Sequence, residues 1–506
     1  MIKNHIIIFI YNMLKIGRGT YSNVYVMKDK NVVKKIFFSG CNYYEGISQD
    51  AITEIAILKT FHHDNIINIL YYDKNNFSYI CLPLYPSTLK SFIVNGGYGL
   101  KDIKNISRQI LLGVYHLHSY GICHQDIKPS NILIDKDYHV VLIDFGISRK
   151  VDPFASLKYE YICSLWYKPP EILFKKNYSL KVDIWSAGCI LAEMLLGKPL
   201  FKGESKSDQI LTIFKILGTP NDLPFEIEKH EPKFNIVFDN YDYAMADIIQ
   251  DMLQIDPSER ISSSDALNHI VFDHPDVINV EDKYVQNILE SYHPPIHRCA
   301  VNSDISRENR NILMDWLFEI VYKYELNIST FIRCQNIIDR YIMEDKFIKL
   351  EIYQLIGITA LWIAEKIEDS RIQKVHDLLW VANDSFTLYH ILDMEKYIAT
   401  TLDLNLMFPI TTDFISYYNR NNVIRSEIEF LLCYIIFDIR LLIYHPSMLV
   451  RNIINIIENK KPKNLIDLNC MGDINRWISI GTEYNLEKNN FILKKYKDNN
   501  FLVKYK

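Results

Sequence analysis

Two short stretches hold side chains whose types and spacing could do chemistry. HQDIKPSN places Asp126, Lys128 and Asn131 on one loop, and LIDFG places Asp144 thirteen residues after Asn131. Such a set can take a proton from a hydroxyl, stand beside developing negative charge, and offer oxygen ligands to Mg²⁺. That is the equipment of phosphoryl transfer. Upstream, IGRGTYSNVY sets Gly17 and Gly19 between two short strands, where missing side chains let backbone amides approach phosphates. Ser22 stands where a third glycine would complete such a loop. VVKKI puts Lys34 on a following strand and ITEIAILK puts Glu54 on the next helix, the arrangement of a lysine that holds ATP phosphates and a carboxylate that orients it. Each feature alone has a plainer reading as a tight turn, a surface lysine or a solvated helix face. Four motifs in this order do not.

The elements that must position them follow from periodicity. Up to residue 83 the pattern is of short β-rich runs with one helical stretch at 48–61, and helical periodicity dominates from there to 272. The polar, Pro-bearing DHPDVINVED carries no apolar period and reads as a connector. Beyond it the apolar spacing is helical throughout, with helices expected at 304–324, 329–343, 349–367 and 388–402. At 506 residues, three to four domains are expected. With 49% hydrophobic and 23% charged residues the chain is far from disordered composition. Lys and Arg total 56 against 61 Asp and Glu, so no global basic field points to nucleic acid or acidic membranes. Nine cysteines without a CxxC pair support neither a disulfide framework nor a zinc site, and indicate a reducing compartment. Residues 6–10 read as a first strand, since no small-residue cleavage site follows them. The longest later apolar run, 355–364, is too short to span a bilayer.

These motifs give residues 1–275 a close resemblance to the eukaryotic-type protein kinases, in the cyclin-dependent branch. The resemblance implies Lys34 and Glu54 as an ion pair, Asp126 as catalytic base, Lys128 beside the γ-phosphate, and Asn131 and Asp144 as metal ligands. It implies ATP contacts from Ile16, Gly17, Gly19, Val24, Lys34, Leu82 and Pro83. WYKPPE supplies Glu171 to pair with Arg260, DIWSAGCI supplies Asp183, and FKGESKSDQILTIFKILGTP resembles the insert of the cyclin-dependent group. Lys128 and Ser164 imply Ser/Thr acceptors, while Lys168 replaces the arginine that helps the family select a following proline. Thr20 and Tyr21 match inhibitory phosphorylation positions. Of three arginines that gather an activating phosphothreonine in the family, the matching positions hold Thr53, Gln125 and Arg149. Tyr159 takes the threonine's place and Ser156 is the nearest hydroxyl before it, so full activity without activating phosphorylation is expected.

The helical half is similar to a cyclin, on RNILMDWLFEI, IIDRYI, LWIAEKIED and LDMEKYI in cyclin-box order. The likeness implies a buried Arg310–Asp339 pair and a kinase-facing Lys366 and Glu395. Ile52 becomes the anchor for a pocket formed by Ile363, Ile367 and Leu406, and YVQNILESY the helix that precedes the box. The family's docking patch maps to Asn309, Ile312, Leu313, Trp316 and Gln354, with Asn309 in place of methionine. The expected architecture is an α+β bilobal kinase fold (N-lobe 1–83, C-lobe 84–275), a linker at 276–282, and an all-α cyclin fold at 283–408. A degenerate second box and tail occupy 409–506. The implied function is Mg·ATP-dependent phosphorylation of protein Ser/Thr residues, with ATP and Mg²⁺ as cofactors and the cyclin half as activator in cis. Cell-cycle or transcription regulators are the implied targets, in the cytoplasm or nucleus. A viral-type fusion would add host cell-cycle proteins as partners; nucleic acid and membrane are not expected. The rival reading is a non-catalytic decoy or scaffold that binds host cyclins or kinases.

Overall fold

The computed structural model describes residues 13–18, 22–27, 31–37, 46–153, 164–221, 228–272, 279–291, 305–345, 348–369, 372–419, 424–436, 444–461 and 469–476. Gly19, Thr20, Tyr21, Ser156, Tyr159 and the opening run at 6–10 lie outside the described residues. The chain divides into two units. One comprises Met1–Phe37, Thr53–Tyr72 and Tyr79–Asn287; the other Phe38–Ile52, Asp73–Ser78 and Ile288–Lys506.

The first unit opens with a five-stranded antiparallel sheet in the order β1 (Met13–Arg18), β2 (Ser22–Met27), β3 (Val32–Phe37), β5 (Tyr79–Pro83), β4 (Tyr71–Tyr72). β3 lies at its centre and carries VVKKIF, whose β-branched residues suit a pleated strand flanked on both sides. Helix α1 (Gln49–Thr60) has Asp50 in its first turn and Lys59 in its last, complementing the helix dipole. The unit division falls inside α1, between Ile52 and Thr53.

Next come β6 (Ser87–Thr88), α2 (Leu89–Asn95) and α3 (Leu100–His118), then the short strands that flank Asp126, Asn131 and Asp144. β8 (Ile132–Ile134) and β9 (Val140–Leu142) join β6 in a three-stranded sheet, while β7 (Ile122–Cys123) and β10 (Arg149–Lys150) form a two-stranded one. After α4 (Pro170–Leu173), helix α5 (Lys181–Leu196) is buried continuously from Val182 to Met194. A helix apolar on nearly every face has to be a core helix, and α5 packs against α3 and α8 (Tyr243–Met252). Helices α6 (Lys206–Leu217), α7 (Phe234–Phe238) and α9 (Ser263–Leu267) complete this region.

Helix α10 (Val280–Ser291) corrects the expected linker. It starts inside 276–282, because Val280, Tyr284, Val285 and Ile288 form a buried helical stripe that the polar stretch before it concealed. The unit boundary lies between Asn287 and Ile288, later than the expected junction.

The second unit is helical in its later part: α11 (Arg307–Lys323), α12 (Ile328–Glu344), α13 (Tyr353–Glu368), α14 (Val375–Val381), α15 (Leu388–Thr401), α16 (Ile415–Tyr418), α17 (Arg425–Ile435) and α18 (Pro446–Ile457). α13 is the central helix, packed against α11, α12 and α15. No helix of the described residues is long and apolar enough to cross a membrane.

Candidate active site

The lysine of the ion pair is Lys35. Its Nζ lies 2.6 Å from Glu54 Oε2 and 2.6 Å from Asp144 Oδ1. The expectation placed on Lys34, as ion-pair partner and ATP contact, is therefore corrected. Adjacent strand residues point to opposite faces, so VVKKI offers one lysine to each face. β3 sets Lys35 opposite Val24 and Ile80, with its side chain towards α1. Lys34 turns the other way, with Nζ 3.4 Å from the ring centroid of Tyr79. Burial alone would lower the Lys35 pKa, but the charges of Glu54 and Asp144 outweigh it and hold the ammonium protonated well above its ordinary range. Burial pushes the Asp144 carboxyl up; Lys35, His124 and Lys128 more than reverse this, so it ionises below the usual carboxylate range.

The loop bearing Asp126 is fixed from several sides. Asp126 Oδ2 accepts from Lys128 Nζ at 2.6 Å and from Asn131 Nδ2 at 2.9 Å, and Oδ1 accepts from Ser164 Oγ at 3.3 Å. Beneath it, fully buried Asp183 accepts from the backbone amides of His124 (2.7 Å) and Gln125 (2.9 Å), with His118 Nε2 at 3.1 Å. Burial raises the Asp183 pKa, and His118 and His124 bring it below its ordinary value. His124 Nε2 lies 3.0 Å from the carbonyl oxygen of Ile143, tying this loop to the segment that ends in Asp144. Gln125 and Asp144 sit at φ 70° and 71°. Left-handed backbone at a residue other than glycine costs on the order of 1 kcal/mol or more, and such strain collects at functional sites. Below, Arg260 grips Glu171 through a buried fork at 2.7 and 2.9 Å, the pairing expected of WYKPPE.

The residues present suit a magnesium-bound nucleotide. Mg²⁺ takes oxygen ligands. Asp144 supplies an ionised carboxylate whose side chain is 42% exposed, and Asn131 bonds Asp126 through its amide nitrogen, leaving its amide oxygen out of that bond. A Mg·nucleotide bound here would supply the transferable phosphoryl group; Asp126 offers a carboxylate that could take a proton from a hydroxyl, and Lys35 and Lys128 would supply positive charge. Gly17 pairs with Val24 across β1 and β2, and Ile16 of β1 is exposed. Leu82 is buried opposite Val33. Pro83 has no amide hydrogen, and the Leu84 amide is taken by the carbonyl of Asn31 at 3.0 Å. Tyr85, which the sequence analysis did not single out, is the next residue able to offer one.

At the positions expected to gather an activating phosphate, Arg149 Nη1 donates to the carbonyl of Ser148 at 3.1 Å. Gln125 Nε2 donates to the Tyr178 hydroxyl at 2.6 Å, and Thr53 is buried.

In the second unit, Lys366 Nζ donates to Glu395 Oε1 at 2.5 Å and to the carbonyl of Ile47 at 2.8 Å, while Glu395 Oε2 accepts the Ile47 amide at 2.9 Å. Ile47 was not legible as a partner because backbone groups leave no motif. Its neighbour Gly46, at φ 63°, leaves room where a Cβ would collide with Glu395 and Trp362. Gln49 Nε2 donates to the carbonyl of Lys366 at 3.0 Å. Ile52, Ile363, Ile367 and Leu406 all belong to this unit and all are buried. Arg310 meets Asp339 at 2.8 and 3.1 Å. Asn309 caps α11 with Ser306, Leu313 is buried, and Ile312 is 64% exposed.

Residues 11–272 match the protein kinase domain family, and residues 283–407 match the cyclin N-terminal domain family. Over 289 residues, 51% of this chain and 95% of the relative, the chain is 34% identical to cyclin-dependent kinase 1 of Encephalitozoon cuniculi (strain GB-M1). A kinase match across half the chain, together with the geometry around Lys35 and Asp126, decides the assignment: the chain belongs to the protein kinase family, as a cyclin-dependent-type protein serine/threonine kinase carrying a cyclin domain in the same polypeptide.

Proposed function

We propose that this kinase transfers the γ-phosphoryl group of Mg·ATP to Ser or Thr hydroxyls of protein substrates, with its own cyclin domain holding it active in cis. In this reading Asp126 is the base, Lys128 steadies the transferred group, Asn131 and Asp144 hold the metal, and Lys35 with Glu54 orients the phosphates. The observation that carries the cis reading is the helix α1. Its first turn belongs to the unit in which Gln49 bonds the carbonyl of Lys366, and Glu54 stands five residues further along. A helix rises about 1.5 Å per residue and transmits displacement as a rod, so what fixes Gln49 and Ile52 also fixes Glu54. Fusion raises the effective concentration of activator to the order of millimolar, so a weak contact suffices. Cell-cycle or transcription regulators are the proposed substrates, and Thr20 and Tyr21 the proposed sites of inhibitory phosphorylation.

Radiolabelled phosphoryl transfer by the purified chain tests this, beside Asp144→Asn as the inactive control and Ile52→Asp as the uncoupled one. Equal activity of parent and Ile52→Asp would defeat cis activation; an inactive parent would favour the scaffold. Activating phosphorylation should be unnecessary. Gln125 is engaged by Tyr178, and Arg149 alone cannot replace a set of charge-assisted bonds worth roughly 1.5 to 3 kcal/mol each. Phosphatase-treated enzyme made in bacteria should therefore run at full rate.

A further inference from the structure

The strand pair β7–β10 has an unusual burden. Its two rungs, Cys123 opposite Arg149 and Ile122 opposite Lys150, join the strand that runs directly into Asp126 to the segment that follows Asp144. Ser148 Oγ adds a bond to the carbonyl of His124 at 3.2 Å. An isolated two-stranded ribbon is marginal in water, so something must cover it. That cover is α10.

Tyr284 of α10 is almost fully buried and lies over Gly121, the residue before β7. Gly121 has φ 70°, and a Cβ there would stand 2.8 Å from the Tyr284 ring and 2.8 Å from the Val151 carbonyl oxygen. Gly121 in turn accepts the Val151 amide at 2.6 Å, closing the ribbon at its far end. One turn on, Asn287 Nδ2 donates to the carbonyl (2.8 Å) and hydroxyl (2.9 Å) of Ser119. Val280 joins a buried cluster with Cys123, Val151 and Tyr178, and Tyr178 holds the Gln125 side chain beside Asp126. Every one of these residues lies in the first unit, although the cyclin family match begins at 283.

We propose that α10 is a positioning element of the phosphoryl-transfer site: Tyr284 and Asn287 hold the β7–β10 ribbon, and through it the Asp126 loop and the Asp144 segment, in register for catalysis. It rests on the kinase reading and adds a hold on the site that does not pass through α1. Neither residue touches substrate; both act through the ribbon.

The test uses the full chain with Asn287→Ala, Tyr284→Ala and Tyr284→Phe, reading steady-state kinetics and amide hydrogen exchange. Asn287→Ala and Tyr284→Ala should lower kcat about 10-fold or more, with KM for ATP within about 2-fold, a loss confined to the catalytic step. Exchange should quicken at residues 119–126 and 144–153 while α5 and α13 keep parental protection. Tyr284→Phe, which keeps the ring over Gly121, should regain most of the parental kcat. A kcat within about 2-fold of parent in both alanine variants, or exchange quickened uniformly through the first unit, would overturn the proposal. Exchange also separates the two readings. An inactive parent would remove the kinase reading, whereas unchanged exchange at 119–126 and 144–153 in Asn287→Ala would remove this one.

Discussion

Two buried lysines each meet a glutamate, one in either unit, and they are built to different ends. Lys35 is shared by Glu54 and Asp144, so one cation faces two carboxylates, and Asp144 is partly open to solvent. Lys366 and Glu395 are both enclosed, with side chains 2% and 0% exposed. Both also bond the backbone of Ile47, and the Trp362 ring centroid lies 3.6 Å from the ammonium. The first arrangement leaves an excess negative charge facing outward, which suits a metal ion. The second is neutral and closed, and its hydrogen bonds specify where the chain before α1 must lie. Burial pushes the Glu395 carboxyl upward and Lys366 pulls it back, leaving it above its ordinary value. A buried lysine–glutamate pair is thus a poor predictor of function until its third partner is known.

The largest effect that would break this comparison is at the open pair. Lys35→Met should lower phosphoryl transfer by about 1,000-fold, roughly 4 kcal/mol in the barrier, with the second unit's unfolding unchanged. A smaller loss in a radiolabel assay would mean that the open pair is structural too.

Lys366→Met should act on stability first. Removing one partner of a buried pair costs about 3 to 5 kcal/mol because the other charge stays behind unpaired. Urea unfolding checks this. A loss below about 1 kcal/mol would show that the pair is not closed in solution.

Glu365, next to Lys366, sharpens the contrast as a buried glutamate without a lysine of its own. Its Oε1 accepts the Gln373 amide at 2.8 Å, while Oε2 has no partner among the described residues. Burial, with Asp369 and Asp377 adding to it, pushes its pKa from 4.5 up to about 8. The folded state then keeps a proton that the unfolded state has released, so this stability is complete below about pH 4.5 and lost as pH rises towards 8. Glu365→Gln should match the parent at pH 5 and exceed it at pH 8.5 by roughly 2 kcal/mol, less than the full linkage value because relaxation and water entry soften burial. Parallel stability profiles would refute the assignment.

The smallest effect is expected at Lys34. Lys34→Ala removes a cation–π contact with Tyr79, costing about 0.5 to 1 kcal/mol in stability, and should leave phosphoryl transfer within about 2-fold of parent. A collapse of activity would return the catalytic role to Lys34.

Lys34 and Lys35 also mark where reading the chain stops. HQDIKPSN and LIDFG were legible because loops carry their chemistry in consecutive residues, and Asp126 with Lys128 and Asn131 meets on one short turn. The fold class and the main helices of both halves were legible for a related reason, since apolar period is a local property. Helix α10 was half legible: its apolar stripe is local, but the polar residues before Val280 hid where it begins. Tyr284 reads as an ordinary core residue until its position over Gly121 is seen.

By itself, then, the sequence determined the order of the motifs, the family they belong to, and pairs whose members each sit in a motif, Glu171 with Arg260 and Arg310 with Asp339. Tertiary structure decided which of two neighbouring lysines enters the site, because strand register and the position of α1 choose a face, and no run of residues in VVKKI encodes that choice. It decided that Lys366 and Glu395 close on the backbone of Ile47, since a peptide group has the same chemistry at every position and only folding brings a particular one near.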